Sequence, residues 1–133
     1  MAIYKNLLIS EKFLNMNLNS YFVFGDNIIR EGMGGAAALR YHSRAIGFIT
    51  KKYPDNKTES FYRPEEYSEV FFEELKKLKT FIEKNPNNIF YISQLGAGLA
   101  NKYRIWQKLI CHNLVKTFEN FDNVVFCWTD NLN

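Results

Sequence analysis

Two glycine-rich segments are the residues of this chain most suited to holding an anion. The first is Gly32-Met33-Gly34-Gly35-Ala36-Ala37-Ala38, and the second is Leu95-Gly96-Ala97-Gly98-Leu99-Ala100. Each follows a short apolar run and opens a helical pattern. Glycine permits a positive φ and brings bare N–H groups close to a negative charge, and a helix N-terminus adds a favourable dipole. The pair of segments therefore predicts that phosphate is bound between two backbone loops.

Polar side chains stand just before the first glycine segment. Asp26 and Asn27 follow the apolar run Tyr21–Phe24 and Gly25. An asparagine offers donors and an acceptor to vicinal hydroxyls, and an aspartate can accept from a hydroxyl or orient a water as a general base. Asp26 and Asn27 are therefore the candidate catalytic residues. The alternative is that they shape a turn and cap the glycine loop.

The other residues that could take part in binding or catalysis give weaker signals. Lys51 can counter a phosphate charge, although an exposed loop lysine is most often only solvated. His42 and His112 have no partner at the spacing of metal ligands, so no metal site is predicted. No Gly-Lys-Thr/Ser follows the glycines, and no acidic ribose reader completes a dinucleotide fingerprint. The sequence thus predicts no cofactor, and it argues against ATP hydrolysis and hydride transfer.

Composition places the chain among ordinary globular proteins. It has 133 residues, of which 47% are hydrophobic, 17% aromatic and 23% charged, so a single domain over residues 1–133 is predicted. The net charge of +3 is scattered rather than gathered in a basic stripe, which does not predict DNA binding. A small anionic ligand fits this balance at least as well.

Cysteine usage and hydropathy bear on the compartment. Cys111 and Cys127 are interpreted as buried thiols, as expected in a reducing cytoplasm. The N-terminus lacks the long apolar centre of a signal peptide, and no apolar run approaches the roughly twenty residues that span a membrane. We therefore expect a soluble cytoplasmic protein without a membrane partner.

The order of apolar patterns predicts strands that alternate with helices. Predicted strands are Ala2–Ile9, Tyr21–Phe24, Ala45–Thr50, Ile89–Ile92 and Val124–Trp128. Predicted helices are a short one capped by Ser10, Ala36–Arg44, a long one from Pro64 to Ile82, and one over Ile105–Phe118. This alternation indicates an α/β fold, a three-layer α/β/α sandwich with a mixed, mostly parallel central sheet. Loops at the carboxyl ends of the strands would form the ligand crevice.

The segment Phe22–Ala37 resembles the first ligand loop of macro domains, in which a strand ends in an asparagine-rich element and glycines then open a helix beside ADP-ribose. The segment Phe90–Ala100 resembles the small-residue loop that closes over the diphosphate in the same family. The likeness covers about Tyr21 to Leu109 and extends to small macro-like proteins of phages and bacteria. It implies that Asn27 binds the distal ribose and that Tyr103 lies near that ribose.

The chain departs from the macro-domain pattern at two points. Macro domains usually carry a Gly-Asp-Ile element whose aspartate accepts from the adenine amine, whereas this chain has Ile9-Ser10-Glu11, with Glu11 as the candidate substitute. The tandem asparagines of the family are reduced to Asp26-Asn27. From the glycine loops, the charge of Lys51 and the resemblance together, the expected ligand-binding residues are Gly25, Asn27, Gly32, Met33, Gly34, Gly35, Ala36, Lys51, Leu95, Gly96, Ala97, Gly98, Leu99 and Tyr103.

The expected function is binding of ADP-ribose or a related nucleotide between the two glycine loops, as in a phage-type nucleotide sponge. One alternative is a hydrolase that removes ADP-ribose from a macromolecule, or phosphate from ADP-ribose 1″-phosphate, with Asp26 activating water. Another is a protein-interaction module whose crevice is empty. Nucleic acid is expected as a partner only in ADP-ribosylated form.

Overall fold

In the computed structural model, which describes residues 1–129, the chain is an α/β protein built on a five-stranded sheet. The strands are β1 (Ile3–Tyr4), β2 (Ser20–Asn27), β3 (Ala45–Lys51), β4 (Ile89–Ile92) and β5 (Val124–Phe126). The helices are α1 (Glu11–Met16), α2 (Pro64–Glu83) and α3 (Cys111–Phe118). Short 3-10 helices span Gly35–Leu39 and Thr58–Ser60, and a π-helical turn, Trp106–Ile110, leads into α3. No helix within residues 1–129 has the length and apolar character needed to cross a membrane.

The sheet has the strand order β1-β5-β4-β2-β3, and all of its pairings are parallel. Val23 in the middle of β2 lies opposite Ile92 of β4 on one side and Ile46 of β3 on the other. The prediction of a mixed sheet is therefore wrong for the described strands. The antiparallel contact in this region is an isolated bridge between Lys51 and Phe61, outside the strand ladders.

Side chains of β2 alternate between two hydrophobic clusters. Val23 packs in a large cluster with the apolar faces of α2 and α3, whereas Phe22 and Phe24 pack with Leu14 of α1 and Ala37 of the first 3-10 helix. Successive side chains of a strand point to opposite faces of a sheet, so the two clusters cover the two faces of β2. The aromatic stripe predicted on α2 is core, because Tyr67 and Phe71 are fully buried.

Most predicted elements are confirmed, with shifted ends. Ser10 caps α1, and its hydroxyl accepts from the Phe13 N–H at 3.0 Å. The long helix begins at Pro64 as predicted, and its first-turn glutamates oppose the positive end of the helix dipole. The first and last strands are shorter than predicted, since β1 ends at Tyr4 and β5 at Phe126.

The predicted helix Ala36–Arg44 is wrong. This segment forms a 3-10 helix, Gly35–Leu39, followed by tight turns in which Arg40 N donates to Ala37 O and His42 N to Leu39 O. Because β2 and β3 are parallel, the segment between them must run back from the carboxyl end of β2 to the amino end of β3. The seven residues of β3 span about 23 Å at roughly 3.3 Å each. Residues 35–39, which take 3-10 geometry, rise about 10 Å at roughly 2.0 Å each, against about 7.5 Å as an α-helix. The short crossover therefore favours the more extended helix.

The two cysteines are expected to be unreactive in the native protein. Neither is in a disulfide; Cys111 is buried, and Cys127 is half-buried rather than fully buried as predicted. Burial raises the pKa of the Cys127 thiol to about 12 and also raises the pKa of Cys111. Because the thiolate is the nucleophile, iodoacetamide at pH 8 should label Cys127 only after unfolding in urea, as measured by peptide mass spectrometry. Rapid labelling of the folded protein would contradict this.

Candidate functional site

The two glycine loops come together because of the strand order. β2 and β4 are adjacent and parallel, so their carboxyl ends lie at the same edge of the sheet. The chain leaves β2 toward β3 on one side and leaves β4 toward β5 on the other. Connections that depart in opposite directions open a crevice between them, the usual ligand position in open α/β sheets. The loops that follow β2 and β4 are the two glycine segments.

A cavity of about 400 Å³ lies between these loops. Its volume falls within the range of about 300–1,000 Å³ that is typical of small-molecule sites. Most of the predicted site residues line it, namely Gly25, Asp26, Asn27, Gly32, Gly34, Gly35, Ala36, Lys51, Leu95, Gly96, Gly98 and Leu99. The structure therefore places both glycine loops around one shared cavity.

Three predicted residues are not among those that line the cavity. Met33 is exposed on the first loop, and Ala97 packs against the hydrophobic core. Tyr103 lies beneath the guanidinium of Arg63, whose Cζ is 4.1 Å from the ring centroid. Tyr103 thus does not line this cavity, and one face of its ring is covered by a cation–π contact.

The glycines of the loops differ in what surrounds them. At Gly34 and Gly98, a Cβ atom would meet nothing within 4 Å, and neither residue has a positive φ. At Gly25, a Cβ atom would lie 3.1 Å from Thr50 Oγ1 and 3.8 Å from Gly96 N. Gly25 thus brings β2 against the second loop, whereas Gly34 and Gly98 leave open space next to the backbone.

Within residues 1–129, both loops contain backbone N–H groups without an acceptor, those of Gly35 and Ala36 in the first loop and those of Gly98 and Leu99 in the second. In the first, the earliest helical bond runs from Ala37 N to Gly34 O, so the N–H groups of Gly35 and Ala36 precede the hydrogen-bonded turn. In the second, turn bonds run from Ala97 N to Gln94 O and from Asn101 N to Gly98 O. The helix that follows the first loop has only five residues and 3-10 geometry. The first loop therefore offers an anion these N–H groups rather than the predicted helix dipole.

The carboxylate of Asp26 is buried, with a side chain only 2% exposed, and both of its oxygens accept from internal donors. Oδ1 lies 2.7 Å from Arg40 Nη1 and accepts from Asn27 N at 2.8 Å. Oδ2 accepts from Arg30 Nη1 at 3.0 Å. A general base needs a lone pair directed at its substrate, but here both oxygens serve internal donors. The geometry therefore favours a positioning role for Asp26 over proton abstraction.

Arg40 is a site residue that the sequence interpretation did not identify. It lines the cavity, and its side chain is 6% exposed. Besides the ion pair with Asp26, it donates from Nε to Gly32 O at 2.8 Å and from Nη2 to Glu31 O at 3.0 Å. Its place on a predicted α-helix concealed this role, since a charged helix residue usually faces solvent.

Gly47 on β3 has no side chain, and this leaves room for the side chain of Asp26 on β2. A Cβ atom on Gly47 would lie 2.2 Å from Asp26 Oδ2 and 2.9 Å from Arg30 Nη1. Its carbonyl also accepts from Arg30 Nη1 at 3.4 Å. A glycine inside a strand often marks a close approach by another group, and that signal in Ala45–Thr50 was available in the sequence.

Asn27 presents an acceptor without an internal partner. Its Nδ2 donates to Glu31 O at 2.7 Å, which fixes the orientation of the amide. Its Oδ1 is buried and has no hydrogen-bond partner within residues 1–129. Buried polar atoms are nearly always paired, so an orphaned acceptor in a cavity wall is suited to a ligand donor.

Lys51 is not a solvated loop lysine, because only 9% of it is exposed. Its Nζ donates to Asp55 O at 2.7 Å and lies 4.7 Å from the centroid of the Phe61 ring. Burial lowers the pKa of Lys51, and the nearby Asp55 carboxylate opposes that shift. Lys51 lines the cavity and pairs with Asn27 on the neighbouring strand, a position from which its charge can balance an anionic ligand.

The histidines lie apart from the cavity. His42 Nε2 lies 3.0 Å from Asn15 Oδ1, and His42 Nδ1 accepts from Arg44 N at 3.1 Å. His112 is exposed on α3. Within residues 1–129, no cluster of three His, Cys, Asp or Glu side chains is arranged to hold a metal ion.

Comparison with known proteins gives one family assignment. No curated protein and no solved structure matches the chain. One family model matches residues 4–102, a range that contains both glycine loops and every residue that lines the cavity. The chain therefore belongs to a family of unknown function, DUF7831.

Proposed function

We propose that this protein binds ADP-ribose or a related ADP-ribose-derived nucleotide in the cavity between its glycine loops. The observation that carries the proposal is the meeting of two glycine loops, from adjacent parallel strands, around one cavity of about 400 Å³. Bare N–H groups from two loops, with Lys51 in the wall, are suited to a diphosphate. The unpaired Asn27 Oδ1 is suited to a ribose hydroxyl.

The macro-domain resemblance supports the same ligand class. The two hydrophobic clusters, on opposite faces of β2, support a three-layer α/β/α sandwich of the macro type. In the arrangement we propose, the diphosphate lies between Gly34-Gly35 and Gly98-Leu99, and the distal ribose lies against Asn27. The sheet of this protein is parallel throughout the described strands.

Titration calorimetry with ADP-ribose, its cyclic forms and NAD tests the proposal. We expect saturable binding of at least one of these nucleotides, with inorganic phosphate as a weaker competitor because it lacks the ribose contacts. The absence of heat with all of them at millimolar concentration would remove the proposal. Mass spectrometry of small molecules released from the purified protein gives an independent identification of the nucleotide.

Gly34→Ala and Gly98→Ala should weaken nucleotide binding without harming the fold. Neither Cβ meets protein atoms within 4 Å, and neither residue has a positive φ, so the methyl groups enter open space beside the cavity. A methyl group that holds a phosphate away from the backbone should raise Kd at least about tenfold, or roughly 1.4 kcal/mol. The measurement is calorimetry combined with thermal melting.

Met33→Ala is the matched control for these two variants. Met33 is in the same loop and 49% exposed, but it does not line the cavity. Its replacement should change Kd less than about twofold. Unchanged affinity in both glycine variants, with native melting temperatures, would show that the nucleotide does not approach these loops.

Binding is favoured over hydrolysis by the state of Asp26. Both carboxylate oxygens accept from arginines and are thereby oriented toward internal donors, at the position where the sequence predicted a general base. Incubation with ADP-ribose 1″-phosphate and with ADP-ribosylated protein should therefore leave both unchanged by chromatography. Release of phosphate or of ADP-ribose would favour the hydrolase instead.

A further inference from the structure

We infer that Arg40 is the positioning residue that holds the first glycine loop in the conformation that receives the ligand. The identity of that ligand rests on the proposed function, whereas the ordering of the loop does not. The inference depends on three contacts of one guanidinium group, whose side chain is 6% exposed, and on the peptide geometry that they impose.

Arg40 links the loop to the end of β2. Its Nε and Nη2 donate to the carbonyls of Gly32 and Glu31 at 2.8 and 3.0 Å. Its Nη1 lies 2.7 Å from Asp26 Oδ1. A planar guanidinium presents these donors in a rigid fork, so three bonds fix the loop relative to a strand rather than to another loop.

The two carbonyl contacts also orient the neighbouring N–H groups. The described chain has no cis peptide bond, and in a trans peptide the N–H points opposite to the C=O. Since the carbonyls of Glu31 and Gly32 face Arg40, the N–H groups of Gly32 and Met33 face away from it. Asn27 Nδ2 donates to the same Glu31 carbonyl at 2.7 Å and strengthens this orientation.

The loop needs such an anchor because its backbone is unusual. Gly32 has a φ of +100°, and Arg30, a residue with a side chain, has a φ of +58°. A left-handed conformation at a non-glycine residue is costly and persists only where surrounding contacts hold it. Arg30 is held through its own contact with Asp26 Oδ2. Asp26 therefore lies between two arginines, one in the segment that leads into the loop and one that holds the first residue of the loop.

Arg44 provides a matched control in the same crossover. It too is an arginine that donates to backbone carbonyls, namely those of Leu14, Asn17 and Ser20, at 2.6–3.1 Å. These contacts lie at the amino end of β2, whereas Arg40 acts at the carboxyl end beside the cavity. Replacing either arginine by lysine removes the fork but retains the charge.

The first arm of the test needs no ligand. We would measure heteronuclear ¹⁵N NOEs for the amides of Gly32, Met33 and Gly34 in the wild type, R40K and R44K. We expect rigid values in the wild type and R44K, and flexible values in R40K. Rigid loop amides in R40K, or flexible ones in the wild type, would overturn the inference. If R40K does not fold, the same NOEs are measured in R40Q, where flexible loop amides are expected and rigid ones would overturn the inference.

The second arm measures affinity. R40K should raise the Kd for ADP-ribose at least about tenfold, whereas R44K should leave it within about twofold, even though both variants lower the melting temperature. Equal Kd values in R40K and the wild type would contradict a role for loop order in binding. If the wild type binds no nucleotide, the proposed function fails, and the NOE values still decide the role of Arg40.

Discussion

Gly96→Ala is expected to destabilise the protein by about 2–5 kcal/mol. Gly96 has a φ of +74°, and a side chain in this left-handed conformation costs about 1–2 kcal/mol. Its Cβ would also lie 2.7 Å from Ile110 Cδ1 and 3.2 Å from Ile105 Cδ1. Both isoleucines are fully buried, so they cannot yield without repacking, and overpacking costs a further 1–3 kcal/mol, roughly. Urea denaturation followed by circular dichroism measures the loss.

Gly98→Ala is the control for this prediction, because it adds the same methyl group to the same loop. Its Cβ meets nothing within 4 Å and its φ is not positive, so its stability should stay within about 0.5 kcal/mol of the wild type. Equal stability of the two variants would mean that the second loop does not pack on Ile105 and Ile110 as described.

The elements predicted most accurately are those that the local pattern of residue types is enough to determine. β2 and β4 are short apolar runs between turn residues, and they were located within a few residues of their observed ends. In α2, the apolar side chains recur at helical spacing after a proline, so its start and its buried face were both predicted. The glycine loops were found for the same reason, because local residue types are enough to identify them.

The missed features depend on contacts between distant segments. The crossover at Gly35–Leu39 takes 3-10 geometry because a short segment must return along β3, a distance that local propensity does not contain. Arg40 and Gly47 belong to the site through Asp26, and they reach it from a different turn and a different strand. A sequence pattern identifies a loop, but it does not identify the side chains that hold that loop in place.

The same contacts change the interpretation of Asp26. The sequence placed an acid at the end of a buried strand beside glycines, which is consistent with either a base or a support for the loop. In the structure it lies between Arg30 and Arg40, against a strand that has a glycine at that point. Two arginines and a glycine are thus placed around this one carboxylate. Together they indicate that its charge is needed for the fold of the loop.

Asp26→Asn should therefore destabilise the protein by about 3 kcal/mol, rather than act only on catalysis. The substitution keeps the shape of the side chain but removes its charge, and it leaves Arg40, whose side chain is 6% exposed, without an anionic partner. Breaking a buried pair from one side typically costs about 3–5 kcal/mol. Glu73→Gln is the control, because Glu73 and its partner Lys77 are about two-thirds exposed, and its effect should stay below about 0.5 kcal/mol. Urea denaturation at pH 7 measures both variants, and a wild-type midpoint for Asp26→Asn would return Asp26 to the list of candidate catalytic residues.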